Sequence, residues 1–577
     1  MSKSGKISWG IAAVLPLAFL AVFFLWPVGS MLARGFMVGI SGAGAAHGST
    51  ASSESFLSIF SDLRTWKIIW QTVWMALAGT AVSVILGVPG AYVLYRLRFP
   101  GQAVLRGFVM VPFVLPTVVV GIAFRALLDG PLAPLGIGQT TFAVVLAMVF
   151  FNYSLVVRTV GTLWVSLDPR QPEAARTLGA SPSRAFVTVT LVQLMPAICA
   201  AAALVFLYCS TAYGLVTTLG RPGYGTLETE IYVQTVTFFN IDKAALLSLI
   251  QFLLVFAALI VSTRLTARSE TALKVSRTSG KIPSRDDVPS IVVTTIVLCA
   301  LVAPIAALIL GSLRSHGQWS VRNYQLLATP GFGFSGGVTA LDALTHSVSI
   351  ALDSTFIALL IGLPLAFVLS RSMSGLWEKI QRIIDGFVLL PLGISTVTVG
   401  FGMLITLGLG PMARSPWLVP IAQSIVALPL VVRAIVPSIR AISPRMREAA
   451  ASLGASPIRV LWTIDAPLAL RGIIVAICFA FAISMGEFGA TSFLANPEYQ
   501  TLPVTIVKLL GRPGADNFGM ALAGAVVLAF VTGMAMFCAE FYAALFSGAV
   551  ASRGVPTEKN SGECRADMRG ALNGSGS

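Results

Sequence analysis

The sequence predicts an all-α integral membrane protein, with about twelve transmembrane helices arranged as two homologous, parallel six-helix halves. Three observations carry this. Hydrophobic residues make up 56% of the 577-residue chain and charged residues only 11%, against about 25% charged in a soluble domain. The apolar residues gather in twelve runs of spanning length. One polar stretch is written twice: DPRQPEAARTLGASPSRAF from Asp168 and SPRMREAAASLGASPIRVL from Ser443, offset by 275 residues.

A helix rising 1.5 Å per residue needs about 20 apolar residues to cross the hydrocarbon core, and helices satisfy their own backbone there. The runs lie near 9–33, 68–94, 104–127, 139–162, 189–213, 242–263, 289–312, 345–369, 384–408, 417–438, 466–492 and 518–546. The first follows Lys3 and Lys6 and resembles a secretory signal. Its apolar part, from Ile11 to about Val28, is longer than the usual 7–15 residues of such a signal, so an uncleaved span is expected.

With the N-terminus placed in the cytoplasm, the inner segments hold 28 of the 39 Lys and Arg. That bias puts both termini and both copies of the repeated stretch inside. The net charge of +15 then belongs to short loops beside apolar spans, where anionic lipid accounts for it and nucleic acid is not needed. Five of the six cysteines lie in apolar stretches without metal-pair spacing, and His47, His316 and His346 are scattered. No metal site is expected.

The repeat runs beyond the polar stretch. GVPGAYVLYR at 87–96 matches GLPLAFVLSR at 362–371, and Tyr213-Gly214 matches Phe488-Gly489, at the same offset. Around VPFVLPTVVVG (111–121) and LPLGISTVTVG (390–400) the offset becomes 279, which marks one short insertion. Six helices return the chain to its starting side, so the halves are parallel repeats about an axis along the membrane normal. The expected units are 1–263 and 289–552, joined by a polar cytoplasmic linker at 264–288 and followed by a disordered cytoplasmic tail at 553–577.

Each polar copy reads as a short docking helix. Asp168 or Ser443 caps its start, Pro169 or Pro444 suits the first turn, and Gln171 sits where a capping partner reaches back. Gly179 or Gly454 ends it in the left-handed conformation, and Ser181-Pro182 or Ser456-Pro457 starts the next helix. The result is about ten residues, or ~15 Å, with a low alanine face (Ala174, Ala175; Ala449, Ala450) and one acid near the positive end (Glu173; Glu448).

EAA…G in a cytoplasmic loop before the fifth span of a six-span unit resembles the permeases of binding-protein-dependent ABC importers. The resemblance covers both halves and implies a type I importer permease fold. It also implies that Glu173, Ala174, Ala175, Gly179, Glu448, Ala449, Ala450 and Gly454 couple the chain to two copies of an ATP-hydrolysing subunit. The downstream I-x-L-P pattern of the family is kept only loosely: the second copy has Ile464 and Ala466-Pro467, and the first delays its proline to Pro196. GEFGATSFLANPEYQTLPVTIVKLLGRPG (486–514) and GRPGYGTLETEIYVQ (220–234) are similar to fused permeases of ferric-iron and thiamine importers. GEFGA also occurs in sulfate and molybdate permeases.

No G-x-x-x-x-G-K-[ST] occurs, so the chain cannot cradle nucleotide phosphates itself. ATP–Mg is expected on the partner, and no cofactor or catalytic site on this chain. An extracytoplasmic binding protein and membrane lipid are the other expected partners, with a bacterial inner-membrane location.

Candidate residues for the path are Glu487, with its neighbours Gly486 and Phe488, and Tyr213 and Pro116. An ionisable group in a span is a functional candidate by default, and the repeat counterpart of Glu487 is Ala212. Arg125, Asp385 and Glu540 read as snorkelling to an interface. Pro112, Pro116 and Pro391 interrupt the third and ninth spans as kinks. The alternatives are an ion-driven twelve-helix secondary transporter and a permease for sulfate- or molybdate-like oxyanions. The first would need mid-membrane coupling charges, which are scarce.

Overall fold

The computed structural model describes residues 13–41, 62–221, 224–267, 281–333, 337–371, 375–410, 412–413 and 415–551. Among them, ten helices are long and apolar enough to cross a membrane: Ala13–Val38, Leu63–Arg96, Thr141–Ser166, Pro182–Ser210, Ile241–Val261, Arg285–Ser312, Ala340–Ser370, Leu418–Arg440, Leu461–Gly486 and Ala515–Tyr542. Two bent helix pairs bring the count to twelve if each is one broken span. The expected tail and residues 268–280 of the expected linker lie outside the described residues.

The bent pairs correct the third and ninth spans. Gln102–Val114 meets Thr117–Leu128 at 101°, and Leu376–Gly393 meets Thr396–Gly408 at 96°. These are breaks, not kinks. Pro116 is the cap of the helix that follows, and Pro391 lies in a 3-10 turn before Ser395, whose hydroxyl accepts from the Val397 N–H at 3.1 Å. Pro112 stays inside its helix. Equivalent glutamines in the first helix of each bent pair cap the span before it: Gln102 donates to the carbonyls of Leu94 and Leu97, and Gln381 to those of Val368, Leu369 and Arg371. Each satisfies carbonyls that the ending helix leaves free.

The repeat holds at residue level. Pro182–Ala185 followed by a π turn at Phe186–Thr190 recurs as Pro457–Val460 followed by Leu461–Asp465. Gly87 lies against Val156 where Gly362 lies against Val431, so these glycines serve helix packing.

The halves are not separate bodies, however. Ala13, Leu20, Phe24 and Val28 of the first span are buried in one core with Leu365, Leu369, Ile425 and Leu428. Reciprocally, Val297 and Leu301 of the seventh span are buried with Val120, Phe124, Val144 and Met148. Each half sends its first span onto the other. A third core, including Met31, Val118, Tyr213, Val397, Phe401 and Phe488, lies between them. The contiguous units 1–263 and 289–552 therefore describe the repeat, while the packing is exchanged.

Of the charges placed in spans, Arg125 pairs with Asp129 at 3.3 Å, and Asp385 and Glu540 are exposed. The linker end is fixed to the first half: Arg98 N–H donates to the Lys281 carbonyl at 2.8 Å, and Tyr92 donates to Asp287 at 2.6 Å.

Candidate functional site

The two stretches expected to dock a partner form the helices Arg170–Thr177 and Pro444–Ser452, each following the C-terminal end of a long span. Asp168 does cap the first through its carboxylate, which accepts from the Arg170 N–H at 3.0 Å, although Pro169 is the residue at the boundary. Gln171 does not reach back. Its carbonyl takes a hydrogen bond from Gln193, on the next span.

Both helices end in the same double-bonded turn. Gly179 N–H donates to Arg176 and Ala180 N–H to Ala175; Gly454 N–H donates to Ala451 and Ala455 N–H to Ala450, all at 3.0–3.1 Å. The turn requires φ of +90° at Gly179 and +79° at Gly454. A side chain there would touch nothing within 4 Å, so only backbone strain opposes one, at roughly 1–2 kcal/mol per residue. Replacing both glycines with valine is expected to unwind both turns and abolish uptake while the protein still inserts. Solute uptake, measured beside the amount in the membrane fraction, checks this; unaltered uptake contradicts it.

Exposure repeats as well. Glu173, Ala174, Glu448 and Ala449 are exposed, and Ala175 and Ala450 half-buried. Leu178 and Leu453, each just before the turn glycine, are 88% and 89% exposed. Sequence reasoning passed over them, although a leucine beside an exposed helix end in both copies was the available signal.

The supports beneath the two helices differ. Asp465 is fully buried and held by two guanidiniums: Arg447 of the second docking helix at 2.7 Å, and Arg371 at the end of the eighth span. The first half has Pro172 and Thr190 at the positions of Arg447 and Asp465. Its docking helix is held by the Gln171–Gln193 bond and an exposed Arg176–Asp286 pair at 3.6 Å.

The five path candidates come together. Pro116, Tyr213, Gly486, Glu487 and Phe488 all line one cavity of about 370 Å³ between the halves. Tyr213 and Phe488 are repeat equivalents, and their rings stack at 5.1 Å and 12°. Residues exchanged by a two-fold axis can touch only near that axis, so the pair marks it. Gly486 approaches Pro116 so closely that an added Cβ would lie 3.0 Å from the ring.

Glu487 is both hydrogen-bonded and lining. Its carboxylate accepts from Ala490 N–H at 2.8 Å, Thr491 N–H at 3.0 Å and the Thr491 hydroxyl at 2.6 Å. Gln423 in turn donates to Thr491. These bonds satisfy both carboxyl oxygens in an apolar interior.

Glu228 was missed. It is fully buried in the short helix Leu227–Tyr232. The hydroxyl of Ser395, which lines the cavity, donates to it at 2.6 Å. Its other oxygen has no partner among the described residues. Hydropathy places this helix between spans, where an acid draws no notice; its neighbour Glu230 is paired with Arg64 and Gln234.

The sequence profile of the family described as binding-protein-dependent transport system inner membrane component matches residues 79–272 and 358–550. The first match runs nine residues past the expected end of the first unit. The thiamine transport system permease protein of Brucella abortus is 25% identical over 534 residues, covering 89% of this chain and 92% of that one. That of Escherichia coli is 24% identical over 480 residues, 80% and 86%. The molybdenum transport system permease protein of Haemophilus influenzae is 34% identical over 193 residues, 31% of this chain and 82% of that one.

Proposed function

We infer the function from one premise: the chain belongs to the family of binding-protein-dependent transport system inner membrane components. It is the permease subunit of an ABC importer, with both halves fused in one multi-pass polypeptide. We propose that the solute is thiamine, delivered by an extracytoplasmic binding protein to a path between the halves. Two ATPase subunits carry ATP–Mg and dock on the two helices, which face the cytoplasm together with both termini. This chain binds no cofactor and hydrolyses nothing itself.

One observation carries the reading: two equivalent helices, each presenting an exposed leucine at a rigid glycine turn, stand at matching places in a duplicated membrane unit. Full-length relatives that carry thiamine in their names support the solute. The molybdenum relative matches less than a third of the chain. Bare iron(III), a hard cation of the kind that takes several oxygen ligands, would meet a single lining carboxylate among the described residues, that of Glu487.

Reconstitution tests this. Proteoliposomes holding the permease and ATPase, supplied with binding protein, are expected to accumulate thiamine only with ATP. Accumulation driven by an ion gradient alone would contradict the proposal and favour the secondary transporter.

A further inference from the structure

We propose that the cavity between the halves is a transit site for a flat organic cation, recognised by Glu487 and the Glu228–Ser395 pair and framed by the Tyr213 and Phe488 rings. The proposal rests on the thiamine-import reading and deepens it, because it assigns recognition to the membrane path as well as to the binding protein.

Charge comes first. No Lys, Arg or His lines the cavity among the described residues, and Glu487 does. Glu228 lies behind Ser395 with one oxygen unused. Arg433, one turn beyond the lining residue Leu430, is exposed and outside the lining. A third acceptor is the side-chain carbonyl oxygen of buried Asn152, which has no partner among the described residues and belongs to a residue that also lines the cavity. Buried carboxylates are costly unless a positive group meets them, and unpaired acceptors ask for donors. Together they suit a cation that bears N–H groups.

The duplication supplies an internal control. At the positions of Glu487, Glu228, Ser395 and Asn152, the opposite half has Ala212, Pro503, Pro116 and Ala427. The fold is built there without any of the four polar groups. Glu487 and Ser395 come from the second half and Glu228 and Asn152 from the first, so each half brings to the cavity and its wall two polar groups that its repeat lacks.

Shape follows. The on-axis pair is made of two flat rings lying nearly parallel, which suits a flat solute more than a round one. Phe113 packs against Phe151 and Tyr208, and all three line the wall. Aromatic faces attract cations, more strongly where water is excluded.

The test uses the full-length permease with its ATPase in nanodiscs, without binding protein. Saturation-transfer NMR compares thiamine with an isostere whose thiazolium is replaced by neutral thiophene. Thiamine is expected to bind at least about tenfold more tightly. Glu487→Gln and Glu228→Gln are each expected to weaken thiamine about tenfold while leaving the neutral isostere unmoved, a split that loss of structure would not produce. Should either variant fail to fold, the comparison of probes on the unaltered protein decides alone. Equal binding of the two probes, or folded variants that keep their thiamine affinity, would overturn the proposal. ATP-driven thiamine uptake by the complete system reads the parent proposal separately. Uptake with equal probe binding sinks only the cation site. A cation preference without thiamine uptake sinks only the assignment of solute.

Discussion

Replacing Leu178 and Leu453 together with aspartate is expected to release the ATPase from the permease and reduce ATP-driven uptake to background. Each leucine is almost wholly exposed, so the permease alone should lose little stability, within about 0.5 kcal/mol. In a partner's groove each would bury its side chain, contributing roughly 1.5–3 kcal/mol. Losing both lowers the docking constant by about two to four powers of ten, and aspartate adds a charge that must be desolvated. Co-purification of the ATPase and thiamine uptake check this together. Normal yields of both would show that the ATPase binds elsewhere.

Replacing Asp465 with asparagine is expected to damage force transfer through the second helix. Asp465 pairs with both Arg371 and Arg447 at the junction of the second short polar helix, the eighth span and the eleventh span. Removing one member of a buried ion pair costs about 3–5 kcal/mol, because the remaining charges stay buried. The prediction is a lower thermal midpoint and more ATP hydrolysed per thiamine imported. Thr190→Val, at the equivalent place in the first half, should leave both quantities nearly unchanged. A normal coupling ratio in the Asp465 variant would assign the triad to stability alone.

Much of this molecule was legible because the chain repeats itself. Hydropathy located the spans, and turn chemistry located both short polar helices down to the left-handed glycines, although Ser443, unlike Asp168, makes no side-chain cap bond. Glycines around Glu487 and the Tyr213–Phe488 equivalence were enough to collect residues that line one cavity. Other features needed three dimensions. Pro116 and Pro391 announce an interruption, but its angle depends on what the following helix packs against. Periodicity says that a face is apolar and not which partner covers it, so the exchanged first spans were invisible. The Asp465 triad joins residues 94 and 18 positions apart. Glu228 was hidden by its place between runs of spanning length.

The most direct measurement uses single cysteines placed at 178 and 453 in an otherwise cysteine-free chain. Each is tested for labelling by an impermeant maleimide from either side of the membrane, and for cross-linking to the ATPase. The account predicts that both label only from the cytoplasmic side and that both cross-link, with ATP and ADP changing the yields in parallel. Labelling of either position from the outside, or an ATPase that never cross-links to one of them, would contradict the claim that two equivalent helices receive the work of ATP hydrolysis.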